Sequence, residues 1–164
     1  MVLYYLLYKL TRIRWRSTMK SAHDFPNLNP KNPDGVKPNG KPYQLIIVED
    51  KDFHRKQLVQ ILESEGYRIL GAFQNGKEAL SFYEKNKNDV DLITTNLDMP
   101  VMDGYSFLFE LSQKELKAKL VFISEETTKG VVQDLLKMGA ADFILKPIQR
   151  GRVLERIKLA LQRK

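Results

Sequence analysis

Leu45-Ile46-Ile47-Val48-Glu49-Asp50 decides the fold: a short, continuous apolar run that ends in two acids. An apolar run without alternation is how a strand reads when helices cover both faces of its sheet. The pattern then repeats downstream. A helical segment carries Leu58, Ile61 and Leu62 on one side, with Gly66 as its stop. Arg68 to Phe73 reads as a second strand, and Asn75 can cap a helix bearing Ala79, Leu80 and Tyr83. Val90 to Thr95 gives a third strand, followed by a helix from about Gly104 to Ser112. Lys119 to Ile123 gives a fourth, and the next helix shows Val132, Leu135, Leu136 and Met138 before Gly139. Phe143-Ile144-Leu145 is the fifth strand, and Val153, Ile157, Ala160 and Leu161 turn the last helix toward the core. Strands alternating with helices in this way imply an α/β fold, one parallel sheet with helices on both faces.

Upstream of Gln44 the composition changes. Five of the seven prolines, Pro26, Pro30, Pro33, Pro38 and Pro42, fall within residues 21–43. Fixed φ angles and missing amide donors predict an extended tether there, dispensable for folding. Residues 1–20 place Leu3, Leu6, Leu7, Leu10 and Ile13 at helical spacing, with Lys9, Arg12 and Arg16 largely on another face. This reads as a basic amphipathic arm, too short in its uncharged run to span a bilayer, whose residues 1–16 could lie on an anionic membrane surface. The competing readings are a packing arm, or a start of translation at Met19. The expected location is the cytoplasm, with peripheral contact at the inner face of the membrane if the arm binds there.

The net charge of +7 is unevenly spread. Residues 1–40 hold seven basic and two acidic side chains, whereas the remainder holds 20 and 18. The folded part is nearly balanced, and no nucleic-acid partner is expected. The final helix, with Arg150, Arg152, Arg156, Lys158, Arg163 and Lys164, lacks a recognition-helix module, and cations near a helix C-terminus suit its dipole. The absence of cysteine excludes disulfides, thiolate metal sites and a cysteine nucleophile.

Ligands of an open α/β sheet bind beyond the carboxyl ends of its strands. The residues there are Glu49 and Asp50, Asn96 and Asp98, Ser124, and Lys146. Acids supply hard oxygens for Mg2+, while a hydroxyl and an ammonium suit phosphoryl oxygens. Each alone reads as a solvated strand end; their recurrence after four different strands is what gives the set meaning.

Residues 44–164 resemble the receiver domains of two-component response regulators. Val48-Glu49-Asp50 is similar to the family's acidic pair, and Asn96-Leu97-Asp98-Met99-Pro100-Val101-Met102-Asp103-Gly104 to the loop after its phosphorylated Asp. Ser124 resembles the switch hydroxyl, Phe143 the switch aromatic, and Lys146-Pro147 the Lys-Pro pair. The resemblance implies a flavodoxin-like, doubly wound five-stranded sheet of order 2-1-3-4-5, the order of the chemotaxis member of this family. It also implies that Asp98 offers its backbone carbonyl to the metal.

Asn96 departs from the family at the phosphoacceptor. An amide has no anionic oxygen to attack a phosphoryl donor. One metal carboxylate is also lost, leaving Glu49 and Asp50 for a weak Mg2+ site. Glu125, directly after Ser124 where the family usually has a small residue, either repels a phosphoryl donor or merely faces solvent. His23 and His54 have no ligand spacing and read as surface residues. The sequence therefore points to a binding module and not an enzyme: a pseudo-receiver that meets a signalling protein, sensor kinase or downstream effector, without phosphorylation. The rival expectation is an orthodox Mg2+-dependent phosphoacceptor whose acceptor Asp has been changed to Asn96.

Overall fold

The computed structural model describes residues 33–125 and 128–163. The arm of residues 1–20, its expected membrane contact and the first part of the tether lie outside the described residues. Within them the elements run β1 (Gln44–Val48), α1 (Asp52–Glu63), β2 (Arg68–Phe73), α2 (Gly76–Asn86), β3 (Leu92–Thr95), α3 (Gly104–Ser112), β4 (Lys119–Ser124), α4 (Lys129–Lys137), β5 (Asp142–Leu145) and α5 (Arg150–Gln162). The strands form one parallel sheet in the order β2-β1-β3-β4-β5, the doubly wound order expected. None of the described helices is long and apolar enough to cross a membrane.

Alternation along β1 explains its unbroken apolar run. Leu45 and Ile47 pack with Leu58 and Leu62 of α1 and with Val153 and Ile157 of α5. Ile46 and Val48 point the other way, into Tyr83 of α2, Phe107 and Leu111 of α3 and Leu135 of α4. None of these side chains is more than 2 % exposed, and burial of each large apolar group is worth about 1.5–3 kcal/mol. Two of the helices, α2 and α3, start where a polar side chain satisfies a free amide: Asn75 Oδ1 accepts from Glu78 N–H at 3.0 Å, and Asp103 Oδ1 from Ser106 N–H at 2.7 Å. Gly66, at φ +81°, supplies the left-handed turn between α1 and β2.

Three features differ from the sequence reading. The third strand starts at Leu92 and not Val90, because the Asp91 carboxylate, in place of a strand carbonyl, accepts the Gln44 N–H at 2.7 Å. In α4 Leu135 is buried but Leu136 is 42 % exposed. Adjacent helical residues lie about 100° apart, so a short helix over a sheet edge buries only one of them.

The third difference is the tether. Its last part, from Pro33 to Tyr43, is a strap on the domain, so the folded unit begins at Pro33 and not at Gln44. Gly35 N–H donates to Glu65 O at 2.9 Å, Tyr43 N–H to Gly35 O at 2.7 Å, and Val36 bridges Pro42 in antiparallel fashion. Ion pairs Lys37–Asp91 (2.8 Å) and Lys158–Asp34 (2.9 Å) tie it to the domain. Gly35 is required, since a Cβ there would lie 2.2 Å from Tyr67 N. Proline density therefore set the local stiffness but not the docking. A chain beginning at Gln44 is expected to lose about 1–3 kcal/mol relative to one beginning at Pro33, roughly 4–10 °C in midpoint. Thermal unfolding of the two checks this, and equal midpoints would restore the tether reading.

Candidate functional site

The winding of the chain reverses between β1 and β3, which opens a crevice at their carboxyl ends. Ladder bonds carry on one residue past the strands and hold the rim: Glu49 N–H to Phe73 O, Asn96 N–H to Val48 O, and Lys146 N–H to Ser124 O, each 2.9 Å. Glu49, Asp50, Asn96, Asp98 and Lys146 thus follow the strand ends on one edge. Ser124, fully buried, closes β4. Phe143 sits half-buried within β5, its ring stacked on Phe122 at 6.3 Å between centroids.

The rim side chains sort into two linked groups. In the first, Asn96 Nδ2 donates to Asp50 Oδ1 at 3.0 Å and to the Asp98 carbonyl at 2.9 Å, while Asn96 Oδ1 accepts from Leu97 N–H at 2.9 Å. This network assigns the amide orientation: reversal would set its oxygen against two acceptors. Asp98 is itself exposed and joins through its main chain. In the second group Lys146 Nζ lies 2.9 Å from Glu49 Oε2, with side-chain exposures of 4 % and 1 %; the ion pair is not aligned as a hydrogen bond. Lys146 also lies 3.1 Å from His54 Nδ1. As an ammonium only donates, His54 must accept at Nδ1 and carry its proton on the other nitrogen.

Electrostatics follow from this sorting. Burial pushes the Glu49 carboxyl above its usual range, and Lys146 pulls it only part of the way back. Burial is also the largest influence on Asp50 and acts upward, but the Asn96 N–H, with Glu49 and Lys146, outweighs it and leaves Asp50 low. His54 is lowered by burial and then by Lys146, consistent with a neutral acceptor. At the surface, Lys51 Nζ and Glu125 Oε1 pair at 2.8 Å, linking the segments that follow β1 and β4. That hydrogen bond lowers the Glu125 carboxyl.

The surface reading of His54 is corrected by this geometry, because the ring is only 24 % exposed and touches the central lysine. The topology held the clue: a residue in the first turn of a helix that follows a strand end must stand on the rim. Arg55 was missed too, and its Nη1 donates to Glu49 O at 2.8 Å and Asp50 O at 3.3 Å, fixing the acidic loop from outside. The loop from Asn96 to Gly104 closes through Gly104 N–H to Leu97 O at 2.7 Å. Within it Met102 N–H donates to Pro100 O at 2.7 Å across Val101 at φ +67°, a γ-turn that few β-branched residues adopt.

Comparison with known proteins places this geometry. The family described as Response regulator receiver domain matches residues 45–158. The chemotaxis protein CheY of Treponema pallidum is 40 % identical over 144 residues, which are 88 % of this chain and 100 % of that protein. A match of that length takes in the strap as well as the sheet. The CheY of Bacillus subtilis is 34 % identical over 119 residues, 73 % of this chain and 98 % of that one. Among solved structures, the CheX–CheY–BeF3–Mg2+ complex from Borrelia burgdorferi contains a chain 34 % identical with a TM-score of 0.79, covering 81 % of this chain and 100 % of its own length. With a family match along residues 45–158 and a relative similar over its whole length, the chain belongs to the response regulator receiver domains of two-component signalling, among those of the CheY-like type.

Proposed function

We propose that this receiver works without a phosphoryl group and signals by protein contact alone, Asn96 standing at the acceptor position. The observation that carries the reading is the bonding of the amide. Its Nδ2 donates to Asp50 Oδ1 and to the Asp98 carbonyl, two oxygens that would otherwise be available to hold a cation. The amide is thus both a poor nucleophile and an internal stand-in for positive charge. It also spares the rim a third carboxylate beside Asp50 and Glu49, a like-charge cost otherwise relieved by metal.

The residues fit Mg2+ only as a weak ligand set: the Asp50 carboxylate and the Asp98 carbonyl are hard oxygens that both meet Asn96 Nδ2, and no group of three or more His, Asp or Glu side chains that could hold a metal occurs among the described residues. When bound in a receiver, the ion supplies charge that draws phosphoryl oxygens to the rim. Here Asn96 must surrender its N–H contacts first, and Glu49 is already committed to Lys146. Binding is therefore expected in the millimolar range or weaker by ligand count. Titration calorimetry checks it, and a micromolar constant would reject the substitution of metal by amide.

The output surface of this reading is formed by α4, β5 and α5, with Phe143 at its inner margin, and its partner is a sensor kinase or a downstream effector. No enzymatic step is assigned to the chain. The second reading, an orthodox receiver whose acceptor has been changed, is favoured by one observation: Lys146 and Glu49 retain a buried pair at the rim. Acetyl phosphate with Mg2+ separates the two. The parent is expected to retain no phosphoryl group by mass, and Asn96→Asp to gain one. Retention by the parent would overturn the proposal.

A further inference from the structure

The end of the sheet opposite the rim carries a surface that receiver chemistry does not use. Two open hollows of about 400 and 440 Å3 adjoin there, at the amino-terminal ends of the strands. Tyr43, Val90 and Leu161 give the first its apolar lining; Leu116, Met138 and Ala141 do so for the second. Lys117 and Lys119 belong to both and form the wall they share. Lys87 lines the first hollow and Arg163 the second.

These cations lack acidic partners among the described residues. Asp91, the one carboxylate in the lining, is used up: Lys37 pairs with its Oδ1 at 2.8 Å and Gln44 N–H donates to its Oδ2 at 2.7 Å. Lys117 Nζ donates to the neutral Asn88 Oδ1 at 3.1 Å, and Arg163 Nη1 to the Ala141 carbonyl at 2.7 Å. Part of the charge offsets the carbonyl ends of α2, α3, α4 and α5, which finish at this end of the sheet. Each such end carries about half a negative charge, so roughly two of the four positive charges are left over.

We propose that this trough docks an acidic segment of a partner protein, with carboxylates flanked on both sides by apolar side chains. The carboxylates meet the Lys117–Lys119 wall, and the flanking groups enter the hollow on either side. A flat lipid surface matches the charge but cannot fill two hollows separated by a cationic wall. Because the trough lies away from the rim, the segment binds whatever occupies Asp50 and Asn96, and the inference stands independently of the amide reading. It provides a constitutive attachment at the end of the sheet opposite the rim.

The test uses the full chain and an end-blocked synthetic peptide of three consecutive glutamates with two leucines on each side. Amide chemical-shift changes are expected at Val90, Ala118 and Ala141. Affinity should fall about tenfold or more in Lys117→Glu/Lys119→Glu, and with added salt. A peptide with serines for leucines is expected to bind far more weakly. Circular dichroism melting confirms that the variant is folded, and single Lys119→Gln serves if the double variant is not. Shifts absent from these amides, equal affinity of parent and variant, or equal affinity of the leucine and serine peptides would each overturn the proposal. So would variant-sensitive binding to phosphatidylserine vesicles without peptide binding, which would assign the trough to lipid.

Discussion

Lys146→Met is expected to destabilise the domain by about 3–5 kcal/mol near pH 8, the usual result of stranding one partner of a buried ion pair. Glu49 and Lys146 are both almost fully shielded, so water cannot replace the ammonium. His54 Nδ1 loses its donor in the same step. The loss has a definite pH dependence. Glu49 already lies above the usual carboxylate range through burial, and without Lys146 it rises further. A carboxyl raised on folding contributes stability below its unfolded value and loses it as pH rises through the folded one. The variant should therefore look better at pH 5 than at pH 8. Glu49→Gln/Lys146→Met removes both charges and is expected to recover most of the loss, since a neutral pair of similar volume has no stranded ion. Urea unfolding of parent, single and double variants at the two pH values decides it. If the double variant is as weak as the single, the pair acts through packing and not charge.

Gly104→Ala should cost about 2–4 kcal/mol, at or above the usual range for overpacking. A Cβ at Gly104 would stand 2.3 Å from Asn96 O, 2.8 Å from the Phe122 ring and 3.0 Å from Leu97 Cα. None of these can yield cheaply. The Asn96 carbonyl already accepts from Thr95 Oγ1 at 3.0 Å, and Phe122 is fully buried. The remaining escape is for α3 to withdraw, which pulls on the loop that orients Asn96. Gly130→Ala is the control: nothing lies within 4 Å of the added methyl. As the second residue of α4 it should stabilise by no more than about 0.5 kcal/mol, the low end of the value for a helix interior. Melting of the two variants and the side-chain amide resonance of Asn96 report both effects; an unchanged melt for Gly104→Ala would mean that the β3–α3 junction is softer than its contacts imply.

The legibility of this chain followed the range of the forces involved. β1, β2 and α3 were readable to within a residue, because an apolar period of a few residues is a local property. The rim was readable as a set, because parallel topology forces the residues after each strand onto one edge. Pairing within the rim was not readable. Nothing local says that Lys146 turns to Glu49 and His54 and that Asn96 turns to Asp50, since those partners are 46 to 97 residues apart. The strap was misread for the same reason: its prolines describe its own backbone, whereas Gly35 is held by Glu65 and Lys37 by Asp91.

By itself, then, the sequence determined one parallel sheet through its alternation of elements, the family through its rim residues, the sheet order through that resemblance, and the chemistry open to the rim through the amide at Asn96. Only the tertiary structure decided which way that amide points, which charges are buried and paired, and where the folded unit begins. Those are outcomes of desolvation and of contacts closed across the chain, and both arise only once the helices have covered the sheet.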